Sequence, residues 1–114
     1  MQVTLADQTC IPCKGGVPPL TAAEIAPLLA QLDSWEVEHD RRLRRVYSVK
    51  NFAQAMALAN RIGAIAEEQA HHPDLHVAWG RVGVEVWTHK IDGLTESDFV
   101  FAAKLDRAYG GATS

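Results

Sequence analysis

Three stretches of the chain repeat apolar residues at helical spacing, and each follows a capping residue with a carboxylate or amide three positions on. Thr21 with Glu24 predicts a helix through about Leu32, with Ile25, Leu28, Leu29 and Leu32 on one face. Asn51 with Gln54 predicts the longest helix, running to about His71, with a narrow stripe of Phe52, Ala55, Met56, Ala59, Ile62 and Ala66. Thr95 with Asp98 predicts the last, with Phe99, Ala102, Ala103, Leu105 and Tyr109 facing inward and Gly110-Gly111 as its stop. Many of these inward residues are alanines, which lets helices approach closely.

Between the helices the period changes to two. Trp35 to Glu38 and Leu43 to Val49 predict a strand pair joined by the polar turn His39-Asp40-Arg41. Leu75 to Val82 and Val84 to Lys90 predict a second pair, hinged at Gly83. In the latter, alternation puts Val84, Val86 and Thr88 on one face and Glu85, Trp87 and His89 on the other. The element order α-β-β-α-β-β-α predicts an α+β domain, a four-stranded antiparallel sheet with three helices on one face. Residues 1–20 are expected to be a flexible N-terminal arm, 21–110 the single domain and 111–114 a tail.

Composition agrees with one core: 114 residues, 47% hydrophobic and 22% charged, leave no room for a second domain able to bury its own. A formal charge of −3 gives no broad positive field for nucleic acid or an anionic membrane. The one basic run, Arg41-Arg42-Leu43-Arg44-Arg45, reads as the solvated face of a strand. The first seven residues carry neither a basic nor an apolar leader segment, and no apolar run approaches the roughly 18 residues of a membrane span, so the expected location is the cytoplasm. Cys10 and Cys13 form a Cys-x-x-Cys, but no second cysteine pair completes a zinc shell. The Lys14-Gly15-Gly16-Val17-Pro18-Pro19 that follows breaks the strand and helix a thioredoxin-like motif needs. The pair reads as two reduced thiols.

The informative segment is Glu67-Glu68-Gln69-Ala70-His71-His72-Pro73-Asp74. Pro73 cannot continue a helix and pushes His72 out of helical geometry. Two histidines therefore stand at a helix C-terminus, where the negative end of the macrodipole favours a positively charged ring. Glu67 and Glu68 lie one turn upstream of His71 and His72, as carboxylate neighbours for each. Two histidines also make ordinary helix caps, and that bland reading stays open on these residues alone. Adjacent histidines rarely aim both rings at one ion, and there is no His-x-x-x-His pair, so no metal site is expected. His39 and His76 read as solvated. With no activated serine or cysteine and no Gly-rich phosphate loop, proton transfer by imidazole is the chemistry that remains.

The chain resembles the pterin-4a-carbinolamine dehydratase family, also known for a dimerisation-cofactor role in animals. The resemblance runs from about Leu20 to Ala108 and rests on an acidic residue, three positions, His-His-Pro, an aromatic, then a histidine and an aspartate at set distances. Those places hold Glu67, His71, His72, Pro73, Trp79, His89 and Asp98. It implies loss of the 4a-hydroxyl from a 4a-hydroxytetrahydropterin to give quinonoid dihydropterin, which recycles the pterin of aromatic amino acid hydroxylases. It further implies that His71, His72 and His89 carry binding and catalysis and that the pterin is substrate, with no cofactor and no metal. On this expectation His71 and His89 exchange protons on opposite sides of the pterin and His72 orients it. Glu67 tunes His71, Trp79 packs near or beneath the ring, and Asp98 serves as helix cap, site residue or both. The resemblance implies a homodimer or homotetramer and a functional link to an aromatic amino acid hydroxylase. The competing readings are a non-catalytic dimerisation module of the same fold and a dehydratase for another pterin, such as one linked to molybdenum cofactor metabolism.

Overall fold

A computed structural model describes residues 5–7, 18–32 and 34–112; Cys10 and Cys13 lie outside them. The elements are α1 (Ala22–Leu29), β1 (Glu36–Glu38), β2 (Arg42–Ser48), α2 (Phe52–Gln69), β3 (Asp74–Ala78), β4 (Arg81–Val86) and α3 (Glu96–Ala112), with short 3-10 turns at Leu5–Asp7 and His89–Ile91. The four strands form one antiparallel sheet in the order β1-β2-β4-β3. Leu43, Tyr47, Val82, Val84 and Val86 point to the helix-covered face and are buried against Ile62, Phe99, Phe101 and Leu105. This is the expected α+β arrangement. Among the described residues no helix is long and apolar enough to cross a membrane.

Local sequence explains the helix starts. Thr21 and Glu24 cap each other reciprocally. The Asn51 side chain accepts from the Gln54 N–H at 2.8 Å, while the Gln54 amide accepts from the Lys50 N–H. The ends differ more from expectation. α1 stops at Leu29, and Gln31 and Leu32 continue only as i to i−3 turns. α3 runs through Gly110-Gly111 to Ala112: Gly110 is not in the left-handed region, and a glycine that stays right-handed weakens a helix without ending it. On α2 the buried stripe is Ala55, Leu58, Ile62 and Ala66, and Phe52 and Met56 are exposed. The 3.6 period fits both stripes, and only the position of the sheet selects between them.

In the second hairpin the turn is Trp79-Gly80, closed by the Ala78↔Arg81 pair, and not Gly83. Gly80 has φ 79, the left-handed conformation that the tight turn needs, whereas Gly83 sits inside β4 between Val46 and His76. In the first hairpin His39 and Asp40 both take positive φ, and the Arg41 N–H donates to the Glu38 carbonyl.

The basic run divides between the two faces of the sheet. Arg42 pairs with Asp92 at 2.7 Å, and Arg44 with Glu38 and Glu85 on the open face. The expectation of a solvated run fails at Arg45, which turns inward to Asp106 at 2.7 Å because strand alternation places it beside Leu43 and Tyr47. Within the segment expected to be an arm, Leu5 is buried on α3, and Lys104 Nζ donates to the Ala6 carbonyl.

Candidate active site

α2 ends by a backbone reversal. Ala70 takes φ 52 and ψ 39, the His71 N–H reaches the Ala66 carbonyl at 3.1 Å, and the chain leaves the helix before either histidine. Left-handed geometry costs an alanine about 1–2 kcal/mol relative to its favoured regions. Ala70→Gly is therefore expected to stabilise the protein by about 1 kcal/mol, after glycine's greater unfolded-state freedom offsets part of the relief. Thermal unfolding should record this as a Tm higher by roughly 4 °C.

The reversal re-pairs the histidines. Neither stands at i+4 from Glu67 or Glu68 on a helix, so the expected pairing of Glu67 with His71 does not form. His71 Nε2 lies 2.6 Å from Asp98 Oδ1, and His72 Nε2 lies 3.1 Å from Glu67 Oε2. The first pair is sheltered, with the His71 side chain 14% exposed and Asp98 fully buried. The second is a surface pair worth little to stability. Glu68 accepts instead from the Gln69 amide.

Asp98 is the hub. Its Oδ2 accepts from the Thr88 hydroxyl and the Thr95 N–H, both at 2.8 Å, so the residue is at once a helix-cap partner and the partner of His71. The Thr88 proton is committed to Asp98, which leaves the Thr95 hydroxyl to donate to Thr88 Oγ1 at 3.1 Å. An ionised carboxylate only accepts, so His71 Nε2 carries a proton and donates it to Asp98. Nδ1 is then the ring nitrogen that Asp98 does not hold. Phe101 lies against the imidazole, ring centres 5.4 Å apart.

His89 is exposed and opens the 3-10 turn His89–Ile91, because β4 ends at Val86, earlier than expected. The turn is tied at its base by the Thr88 N–H to the Gly93 carbonyl at 2.8 Å. A Cβ on Gly93 would come within 2.5 Å of Pro19, so only glycine lets Pro19 and Leu20 lie across this loop. Thr88, buried one position before His89, thus connects the turn to Asp98 and His71.

The Asp74↔Glu85 pair brings the start of β3, just after His71, His72 and Pro73, beside the end of β4, just before Thr88 and His89. Trp79 stands at the opposite end of β3, 71% exposed. Six residue steps at about 3.3 Å each put roughly 20 Å between it and Pro73. Within one chain the structure does not bring Trp79 to the histidines. A groove of about 510 Å³ runs along the strands past Glu36, Arg44, Val46, His76 and Glu85, and none of the three histidines lines it. Among the described residues no three His, Cys, Asp or Glu side chains are grouped as a metal ion would require. Sequence reasoning missed Thr88, assigned only to an inward strand face; its place directly before His89 was the available signal.

Residues 18–108 match the family model described as pterin 4 alpha carbinolamine dehydratase. A protein of Rubrobacter xylanophilus, provisionally named a pterin-4-alpha-carbinolamine dehydratase, is 57% identical over 103 residues, covering 90% of this chain and 96% of its own. A Rickettsia bellii protein with the same provisional name is 53% identical over 104 residues, at 90% and 92% coverage. A crystal structure from Brucella melitensis, described as a transcriptional coactivator/pterin dehydratase, superimposes with a TM-score of 0.73 at 32% identity, over 78% of this chain and 96% of that one. A pterin dehydratase-like RuBisCO assembly factor of the alpha-carboxysome shares the fold, with a TM-score of 0.59 at 22% identity over 68% of this chain and 92% of that one. With the family model spanning the whole sheet and all the histidines of the site, this chain belongs to the pterin-4a-carbinolamine dehydratase family.

Proposed function

We propose that the protein is a hydro-lyase that dehydrates a 4a-hydroxytetrahydropterin to quinonoid dihydropterin, working as a homo-oligomer in the cytoplasm and returning pterin to aromatic amino acid hydroxylation. The observation that carries this reading is the sheltered His71–Asp98 pair, tied through Thr88 to the turn that holds His89. In the reaction the C4a–O bond breaks, the N5 proton leaves, a C4a=N5 double bond forms and water departs, with no change of oxidation state. The step needs one group to protonate the leaving hydroxyl and another to take the N5 proton. His71, fixed in one orientation, and His89 are the two proton carriers. His72, held by Glu67 beside Pro73, orients the pterin. The pterin is the substrate, and the chemistry calls for no further cofactor.

A second reading, an interaction module, draws on the exposed Phe52 and Met56 of α2 and on the coactivator and assembly-factor descriptions of the two structural relatives. One assay separates the two. Freshly formed 4a-hydroxytetrahydropterin should dehydrate at least about 100-fold faster with catalytic amounts of the protein than without. A rate indistinguishable from the uncatalysed one would refute the dehydration of this substrate.

A further inference from the structure

A proton-carrying His89 has to be aimed. Its imidazole makes no hydrogen bond and no ion pair among the described residues, and it stands exposed at the first position of a short turn. A histidine in that position would ordinarily sample several rotamers. Instead its ring lies nearly parallel to the Trp87 indole, with centroids 4.4 Å apart and planes 22° from each other. Trp87 is held in turn. The Arg42 guanidinium of β2 sits 4.2 Å from the indole centroid, one step beyond the Leu43↔Val86 pair. The same guanidinium donates to Asp92 Oδ1 at 2.7 Å, and Asp92 is the left-handed residue, φ 47, that closes the turn His89 opens.

One arginine therefore grips both the plate on which His89 lies and the far end of the turn that carries it. Trp87 occupies a half-buried strand-end position between buried Val86 and Thr88, where one part of the indole packs against the core. Its faces meet Arg42 and His89, contacts that need a flat ring and not merely an apolar one.

We propose that Trp87, braced by Arg42, is the positioning residue that holds the His89 imidazole in the single orientation used for proton transfer. The inference rests on the dehydratase reading for its consequence in turnover, and on the stack alone for its geometry.

Two arms test it, on the full-length protein. In turnover, Trp87→Ala should lower kcat about tenfold, as expected when a catalytic group is left loosely placed, with KM within about twofold. Trp87→Phe keeps a flat ring and should recover to within about threefold of the original kcat. In NMR without substrate, the His89 ring protons should show an upfield ring-current displacement that Trp87→Ala removes and Trp87→Phe largely keeps. An unchanged kcat in Trp87→Ala, or His89 resonances that do not move, overturns the proposal. If Trp87→Ala does not fold, Trp87→Leu and the His89 shifts of the unaltered protein decide the same question. If the unaltered protein shows no dehydratase activity, it is the functional reading that fails, and the NMR arm still decides the stack.

Discussion

Asparagine in place of Asp98 is expected to reduce pterin dehydration about 100-fold or more while the protein stays folded. The reason is the donor and acceptor count at one buried side chain. The Thr95 N–H can only donate, so the side-chain oxygen of the introduced asparagine must face Thr95 and Thr88, and its NH2 group must face His71. His71 Nε2 then has to accept, which moves the ring proton to Nδ1 and presents the wrong tautomer to the substrate. His71→Ala should cost a comparable factor, and the double variant little more than either single one, because the two residues act as a unit. Asp98→Ala is a different perturbation: it strands the Thr88 hydroxyl, the Thr95 N–H and the imidazole in a buried site and should also lower the Tm. Steady-state kinetics with melting curves on the four variants checks all of this. A rate for Asp98→Asn within a few-fold of the unaltered protein would refute the tautomer argument.

The largest effect on stability is expected at Asp106. A single carboxylate oxygen accepts from Trp35 Nε1 at 2.8 Å, Arg45 Nη1 at 2.7 Å and the Tyr47 hydroxyl at 2.6 Å. The Arg45 side chain is 10% exposed and lies over the Tyr47 ring. Asp106→Ala takes away the carboxylate that faces this sheltered guanidinium under the helices, at a cost of about 3–5 kcal/mol. For a domain of this size that is roughly 10–20 °C in Tm.

The same cluster sets an alkaline limit. Burial, then the hydrogen bond to Asp106 and its negative charge, push the Tyr47 phenol far above the ordinary tyrosine range. The folded protein keeps this proton where the unfolded chain gives it up. The stability it contributes is therefore complete below pH about 10 and declines as pH rises beyond that. Tyr109→Phe leaves Tyr47 as the only tyrosine, and phenolate absorbance at 295 nm in that variant should appear only together with loss of the folded circular dichroism signal. A phenolate titrating at pH about 10 in the folded state would contradict this reading of the cluster.

What could be read from sequence was set by neighbours along the chain. The helix starts at Thr21 and Asn51 involve side chains three or four residues apart, and the inward run of Val84, Val86 and Thr88 follows from the strand period alone. The family signature was legible because its spacings are themselves sequence. Where several local solutions were possible, sequence reasoning chose wrongly. Gly83 and Gly80 both suit a hairpin, Gly110-Gly111 suits either a stop or a weakened helix, and α2 offers two apolar stripes. Packing against the sheet decides each case, since the free energy that separates them comes from surface buried between distant elements.

The site shows the division most clearly. Sequence alone determined that His71, His72 and His89 are present, that the helix cannot run past Pro73, and that acidic residues stand near. Only the tertiary structure decided that His71 belongs to Asp98, 27 residues away, and that Glu67 belongs to His72. It also revealed Thr88 as the connection from Asp98 to the turn that carries His89, and placed Trp79 at the far end of β3. The physical reason is one alanine: left-handed geometry at Ala70 swings both histidines off the helix, and from there their partners depend on which elements the sheet brings together rather than on distance along the chain.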